Sequence, residues 1–137
     1  MAGAGHKDDS GTPLAAKLGI REGSRVLVVG APARFSLGDL PFGAELLGRA
    51  RADLDVALLF VTRISDLRRR FPGLRRNLRP AGRLWVAWPK KASGIATDLD
   101  FDLVQRIGLG EGLVDNKSAS IDDGFQGLQF VVRLRDR

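Results

Sequence analysis

Three short stretches, RVLVVG from Arg25, DVALLFVT from Asp55 and RLWVAW from Arg83, run apolar without alternation. A strand wet on one face alternates apolar and polar residues. A strand covered on both faces has no such need, because every side chain leaves water. Between the second and third runs Leu67, Phe71, Leu74 and Leu78 recur at spacings of four, three and four, which lays one apolar stripe along a helix. Buried strands joined by crossover helices build a parallel sheet with helices packed on it. The chain ends differently: GLVDNKSASID and LQFVVRL flank the turn-rich DGFQG and read as an antiparallel hairpin. The expected fold class is therefore α/β, a three-layer sandwich whose mixed, Rossmann-like sheet has parallel strands and a C-terminal antiparallel hairpin.

The local signals place buried strands over residues 26–29, 56–61 and 84–88. Thr12-Pro13 opens a short helix carrying Leu14 and Leu18, and Gly19 ends it. Ser65 is the expected N-cap of the arginine-rich helix, which Pro72 should kink or restart. A further helix over 99–107 begins with Thr97 and Asp100 in capping-box spacing. Residues 31–55 are the least regular; Pro32, Gly38, Pro41 and Gly43 punctuate a short helix over 33–37 and a short strand over 44–47. Residues 1–11, MAGAGHKDDSG, read as a disordered tail ahead of a single domain over 12–137.

Composition narrows the chemistry. At 137 residues and 44% hydrophobic content the chain can bury one core without disulfides or metals. It has no cysteine and no tyrosine, and its one histidine is His6 in the tail. Disulfides, thiolate zinc sites and iron–sulfur clusters are thereby excluded. A catalytic triad or a histidine-held metal would depend on His6, so no metal is expected. Asp, Glu and Lys remain as proton-transfer groups. No apolar run approaches the roughly 20 residues of a membrane span, and the expected location is the cytoplasm.

The formal net charge is +6. Residues 63–79 hold seven arginines and one acid, Asp66, so this segment carries the entire excess and the rest of the chain balances. Such clustering is the electrostatic footprint of nucleic-acid binding, with Arg68, Arg69, Arg75, Arg76 and Arg79 as the contacts. At about 100° per residue these five spread over the whole face opposite the leucine stripe, as a merely solvated face also would. The absence of interleaved aromatics ranks this reading below a small-molecule site.

In open α/β sheets ligands bind beyond the carboxyl ends of the parallel strands, at the topological switch point. Three such ends should converge here: Gly30 and Ala31 after the first strand, Thr62 and Arg63 after the second, and Lys90, Lys91, Ser93 and Gly94 after the third. Trp88 would floor the pocket. Lysines, a hydroxyl and a helix N-terminus suit an anionic small molecule, although Asp98, Asp100 and Asp102 oppose it. A nucleotide cofactor site of the usual type wants a glycine-rich turn and an acid near the end of the second strand. VVGAPARF has one glycine and then a proline, and Glu45 is a weak ribose partner, so S-adenosylmethionine is possible only without its usual motif.

LRRNLRPAGRLWVAWPK, together with the closing hairpin, resembles class I S-adenosylmethionine-dependent methyltransferases, and implies a reduced version of their fold without the cofactor motif. A second resemblance rests on TPLAAKLGI, EGSRVLVVGAP, DVALLFVT, LWVAWPKKASGIATDL and GLVDNKSASID, which are similar to the bacterial domain-of-unknown-function family 3052. The sequence departs from that pattern at Phe125-Gln126-Gly127, and the resemblance supplies no catalytic residues. The leading expectation is a non-catalytic binding or regulatory domain recognising an anionic small molecule or a partner at the rim. The alternative is a degenerate or minimal S-adenosylmethionine-dependent methyltransferase-like transferase, followed by nucleic-acid binding through the arginine-rich helix. A homo-oligomer paired through the hairpin edge is compatible with each.

Overall fold

The structure is a computed structural model that describes residues 11–137; the tail expected over 1–11, apart from Gly11, and His6 lie outside the described residues. The elements are α1 (Leu14–Lys17), β1 (Arg25–Val29), β2 (Glu45–Leu47), β3 (Leu54–Phe60), α2 (Ile64–Asn77), β4 (Leu78–Pro89), a 3-10 turn (Lys91–Ser93), α3 (Phe101–Gly110), β5 (Val114–Ser120) and β6 (Phe125–Val131). Six strands form one sheet in the order β2-β1-β3-β4-β6-β5. The first four are parallel, and β6 runs antiparallel to both β4 and β5. The mixed α/β sheet with its C-terminal antiparallel pair is the expected fold.

The unalternating runs are explained by cover on both faces. Leu27, Leu59, Val86 and Trp88 pack beneath Leu67, Phe71 and Leu74 of α2 and Val104 of α3. Val26, Leu58, Trp85 and Ala87 pack on the other side against Ala15, Leu18 and Leu37. The two tryptophans of β4 thus serve opposite layers, and both are buried. Trp85 Nε1 donates to the Leu18 carbonyl at 3.1 Å, which ties α1 to the sheet. On that same side Arg83 donates to Gln129 Oε1 at 3.2 Å. Burial, reinforced by the charges of Arg21 and Arg137, lowers the pKa of Arg83 from the ordinary arginine value.

Several local expectations are corrected. No helix forms over 33–37; Phe35 N donates to Pro32 O in a single turn, and Leu37 is buried as an irregular segment. Gly38, at φ 75°, turns the chain directly after this segment, and the packing of Leu37 and of the Phe35 ring against Phe60 holds it as a single turn. Pro72 does not restart α2, which runs unbroken from Ile64 to Asn77 with Leu67, Phe71 and Leu74 buried, while Leu78 of the expected stripe falls half-buried in β4. Packing of Phe71 and Leu74 outweighs the lost hydrogen bond. Strand β4 also starts earlier than its apolar run, since Leu78 already pairs with Leu54 across a register shift. A second shift lies between Asp115 and Lys117, which oppose Phe130 and Gln129 and so face opposite sides of the sheet.

Candidate functional site

The carboxyl ends of β1, β3 and β4 carry the residues expected at the rim, but the structure sorts them into two places. The main groove, with a cavity volume of about 1060 Å³, is lined by Trp88, Lys90 and Lys91 together with Thr97, Asp100, Phe101, Asp102, Ser120 and Gln126 among others. Gly30, Ala31, Thr62, Arg63, Ser93 and Gly94 are not in its lining.

Each of those six has a place in the backbone architecture. Gly30 turns the chain out of β1 at φ 75°, and a Cβ there would stand 2.7 Å from the Phe60 carbonyl. Its missing side chain lets β3 approach, so the glycine serves the sheet at this point. Ala31 follows, exposed. The Thr62 carbonyl accepts from Thr97 Oγ1 at 2.6 Å, and Arg63 is the N-cap residue of α2. Ser93 Oγ donates to the Lys90 carbonyl at 2.7 Å and accepts from Ile95 N at 3.1 Å, so this hydroxyl closes its own turn. Gly94 ends the 3-10 turn in the left-handed region at φ 75°.

The groove itself brings together groups of three kinds. Lys90 Nζ donates to Ser120 Oγ at 2.7 Å, which fixes one ammonium against the hairpin. That hairpin turn is in turn held by Asp122 Oδ1, which accepts from Gly124 N at 2.9 Å and Phe125 N at 2.8 Å. Lys91 is exposed beside it. On α3, Asp100 caps the helix by accepting from Leu103 N at 2.9 Å, while Asp102 stands exposed in the first turn. Phe101 meets Trp88 edge to face with ring centroids 6.3 Å apart, and 42% of Phe101 remains exposed. No ion pair joins these lysines to these aspartates among the described residues. The groove therefore offers both charge signs and an aromatic surface to one ligand.

Asp98 escaped the sequence analysis as a structural residue. Its Oδ1 accepts from Ile64 N at 2.8 Å, 34 positions away in the chain, and it thereby supplies the N-terminal cap of α2 that was expected from Ser65. A helix cap read from neighbouring residues alone cannot reveal a partner that arrives from another loop. Replacing Asp98 with Ala is expected to cost about 1 kcal/mol in denaturant unfolding, the usual worth of a cap. An unchanged midpoint would mean that the contact is idle.

The arginines behave differently from the groove residues. Arg68, Arg69, Arg75, Arg76 and Arg79 are all exposed. Arg69 pairs with Asp66 at 2.8 Å, and this hydrogen bond, with the nearby guanidiniums, holds the Asp66 carboxyl below the ordinary aspartate pKa. Arg79 pairs with Asp55 at 3.1 Å at the amino end of the sheet. Among the described residues no group of three or more His, Cys, Asp or Glu side chains is arranged to hold a metal, and no helix is long and apolar enough to cross a membrane.

The crevice between β1 and β3 is where the fold would seat a nucleoside cofactor, because β2 and β3 depart from β1 in opposite directions. Its residues do not fit that group in the usual way. Glu45 pairs in register with Arg25 at the amino end of β2, and the carboxyl end continues as Gly48-Arg49 with no acid for ribose hydroxyls. The aromatic surface and the mixed charges lie instead in the groove.

No protein-family model matches the chain, and no curated protein does. The resemblance to family 3052 therefore finds no support. Solved structures do share the fold. A SAM-dependent methyltransferase from Aquifex aeolicus is 14% identical, covers 88% of each chain and superposes with a TM-score of 0.62. A TehB-like SAM-dependent methyltransferase from Corynebacterium glutamicum is 12% identical over 95% of this chain and 91% of that one, with a TM-score of 0.59. Magnesium protoporphyrin IX methyltransferase from Synechocystis, solved with bound SAH, is 12% identical over 91% of this chain and 81% of that one, with a TM-score of 0.58. At these identities the likeness is one of fold, the fold seen first in LRRNLRPAGRLWVAWPK. It corrects the leading functional expectation: the shared architecture of these methyltransferases favours a methyltransferase-like protein over a non-catalytic binding domain.

Proposed function

We propose that the protein is a minimal S-adenosylmethionine-dependent methyltransferase-like transferase that holds its small molecules in the groove at the end of β4. The observation that carries this reading is that groove: on a methyltransferase-like fold, it is where Trp88, Phe101, Lys90, Lys91 and Asp102 gather. S-adenosylmethionine presents a carboxylate, an ammonium, a sulfonium and a purine. Lys90 and Lys91 match the carboxylate, Asp102 matches the cationic groups, and the exposed ring of Phe101 matches the purine. When bound, such a donor supplies an activated methyl group. The chain supplies a fixed ammonium at Lys90, an open carboxylate at Asp102 and the apolar floor of Trp88.

A thermal-shift titration with the demethylated product, S-adenosylhomocysteine, tests the reading without requiring an acceptor. At a hundredfold excess over its dissociation constant a ligand that binds only the native state adds about 2.7 kcal/mol of stability. The stabilisation is expected in the wild type and in Arg63→Ala, and is lost in the Lys90→Ala/Lys91→Ala variant. If neither the donor nor its product shifts the wild type, the proposal fails. A shift that survives loss of the lysines but disappears in Arg63→Ala would move the site to the β1 crevice and overturn the assignment to the groove.

A further inference from the structure

From Leu67 to Asn77, helix α2 contains no acid and five arginines, all of them exposed. Surfaces that serve only solubility mix the two signs. The helix dipole accounts for Arg75 and Arg76, which lie in the last turn, but it gives no return on Arg68, Arg69 and Arg70 in the middle. Of these five, Arg69 alone has an acidic partner on the helix. Arg68 and Arg75 are seven residues apart and so lie on nearly one line, about 10.5 Å along the axis, as do Arg69 and Arg76. Each pair can therefore meet separate anionic groups of an extended polyanion.

We infer that the outer face of α2 binds the phosphodiester backbone of double-stranded nucleic acid, independently of the groove. Guanidinium groups bind phosphate by paired hydrogen bonds as well as by charge, which suits arginine over lysine here. The one aromatic residue of α2, Phe71, is buried, so the face offers no ring for stacking on bases and no preference for single strands. A membrane-surface helix would expose apolar residues beside its cations. The apolar stripe of α2 is instead spent on the sheet.

Binding to a duplex of arbitrary sequence, read by fluorescence anisotropy against salt, tests the assignment. Four phosphate contacts give a slope of roughly −3.6 in log K against log salt, so a fourfold rise in salt lowers affinity about a hundredfold. Changing Arg68, Arg70, Arg75 and Arg76 to Gln leaves Arg69 as the one remaining contact of the two lines, and is expected to reduce the slope to roughly −0.9 and weaken binding steeply at moderate salt. Arg69 and Arg79 stay, because they hold Asp66 and Asp55, and glutamine keeps helix propensity. Circular dichroism should show the quadruple variant folded, and Lys90→Ala/Lys91→Ala should bind the duplex as the wild type does. The inference is overturned by absence of binding at low salt, by a slope the four changes leave intact, or by equal affinity for phosphatidylserine vesicles or polyglutamate.

Discussion

Trp85→Ala is expected to lower the free energy of unfolding by about 3–5 kcal/mol, the range for removing a large aromatic side chain from a packed core. Trp85 has no exposed surface and lies in the cluster that joins β4 to α1 through Leu18. Its indole also donates to the Leu18 carbonyl, so the substitution leaves a buried acceptor without its partner. Helix α1 has only four residues and cannot persist through its own hydrogen bonds. It stays because the sheet holds it. Trp85→Phe separates the two contributions: it keeps most of the ring but loses the donor, and about 1–2 kcal/mol of loss is expected. Denaturant unfolding followed by circular dichroism reads both, with the midpoint moving and the slope unchanged. A loss below about 1 kcal/mol for Trp85→Ala would show that α1 and Trp85 do not support each other.

Much of this architecture was legible because burial writes itself into sequence. The runs at Val26, Val56 and Leu84 have no polar interruption, and the structure covers each of them from both sides. What escaped reading was decided by contacts between distant residues. Asp98 looked like part of the start of α3, yet it caps α2. Asp115 and Lys117 stand two apart on one strand, yet a register shift puts them on opposite faces. The short helix expected over 33–37 gives way to an irregular segment in which the Phe35 ring meets Phe60, 4.8 Å away between centroids. For the site, Trp88, Lys90 and Lys91 were visible as a break from core to charge. Phe101 was not, and Asp102 was read only as charge opposing an anion, because only the folding of α3 over β4 brings the first turn of that helix against Trp88.

Phe71→Ala is expected to cost a further test of the same size, about 3–5 kcal/mol, on the opposite face of the sheet. Phe71 is fully buried and meets Phe130 of β6 edge to face at 5.5 Å between centroids. Phe130 also receives α3: a Cβ at Gly108 would collide with its ring, so glycine there lets the helix sit directly on the strand. One ring thus positions both α2 and α3, of which α3 lines the groove. A double-mutant cycle of Phe71→Leu and Phe130→Leu should give a coupling of about 0.5–1.5 kcal/mol, the worth of an edge-to-face pair beyond burial. Additive single effects would mean that the two rings are neighbours without being partners. Because Ile64 at the start of α2 donates to Asp98, two residues from the Asp100 cap of α3, loosening α2 should also loosen that cap. Phe71→Leu is therefore expected to weaken the S-adenosylhomocysteine shift while the protein remains folded, and an undiminished shift would show that the groove is held by α3 and the hairpin alone.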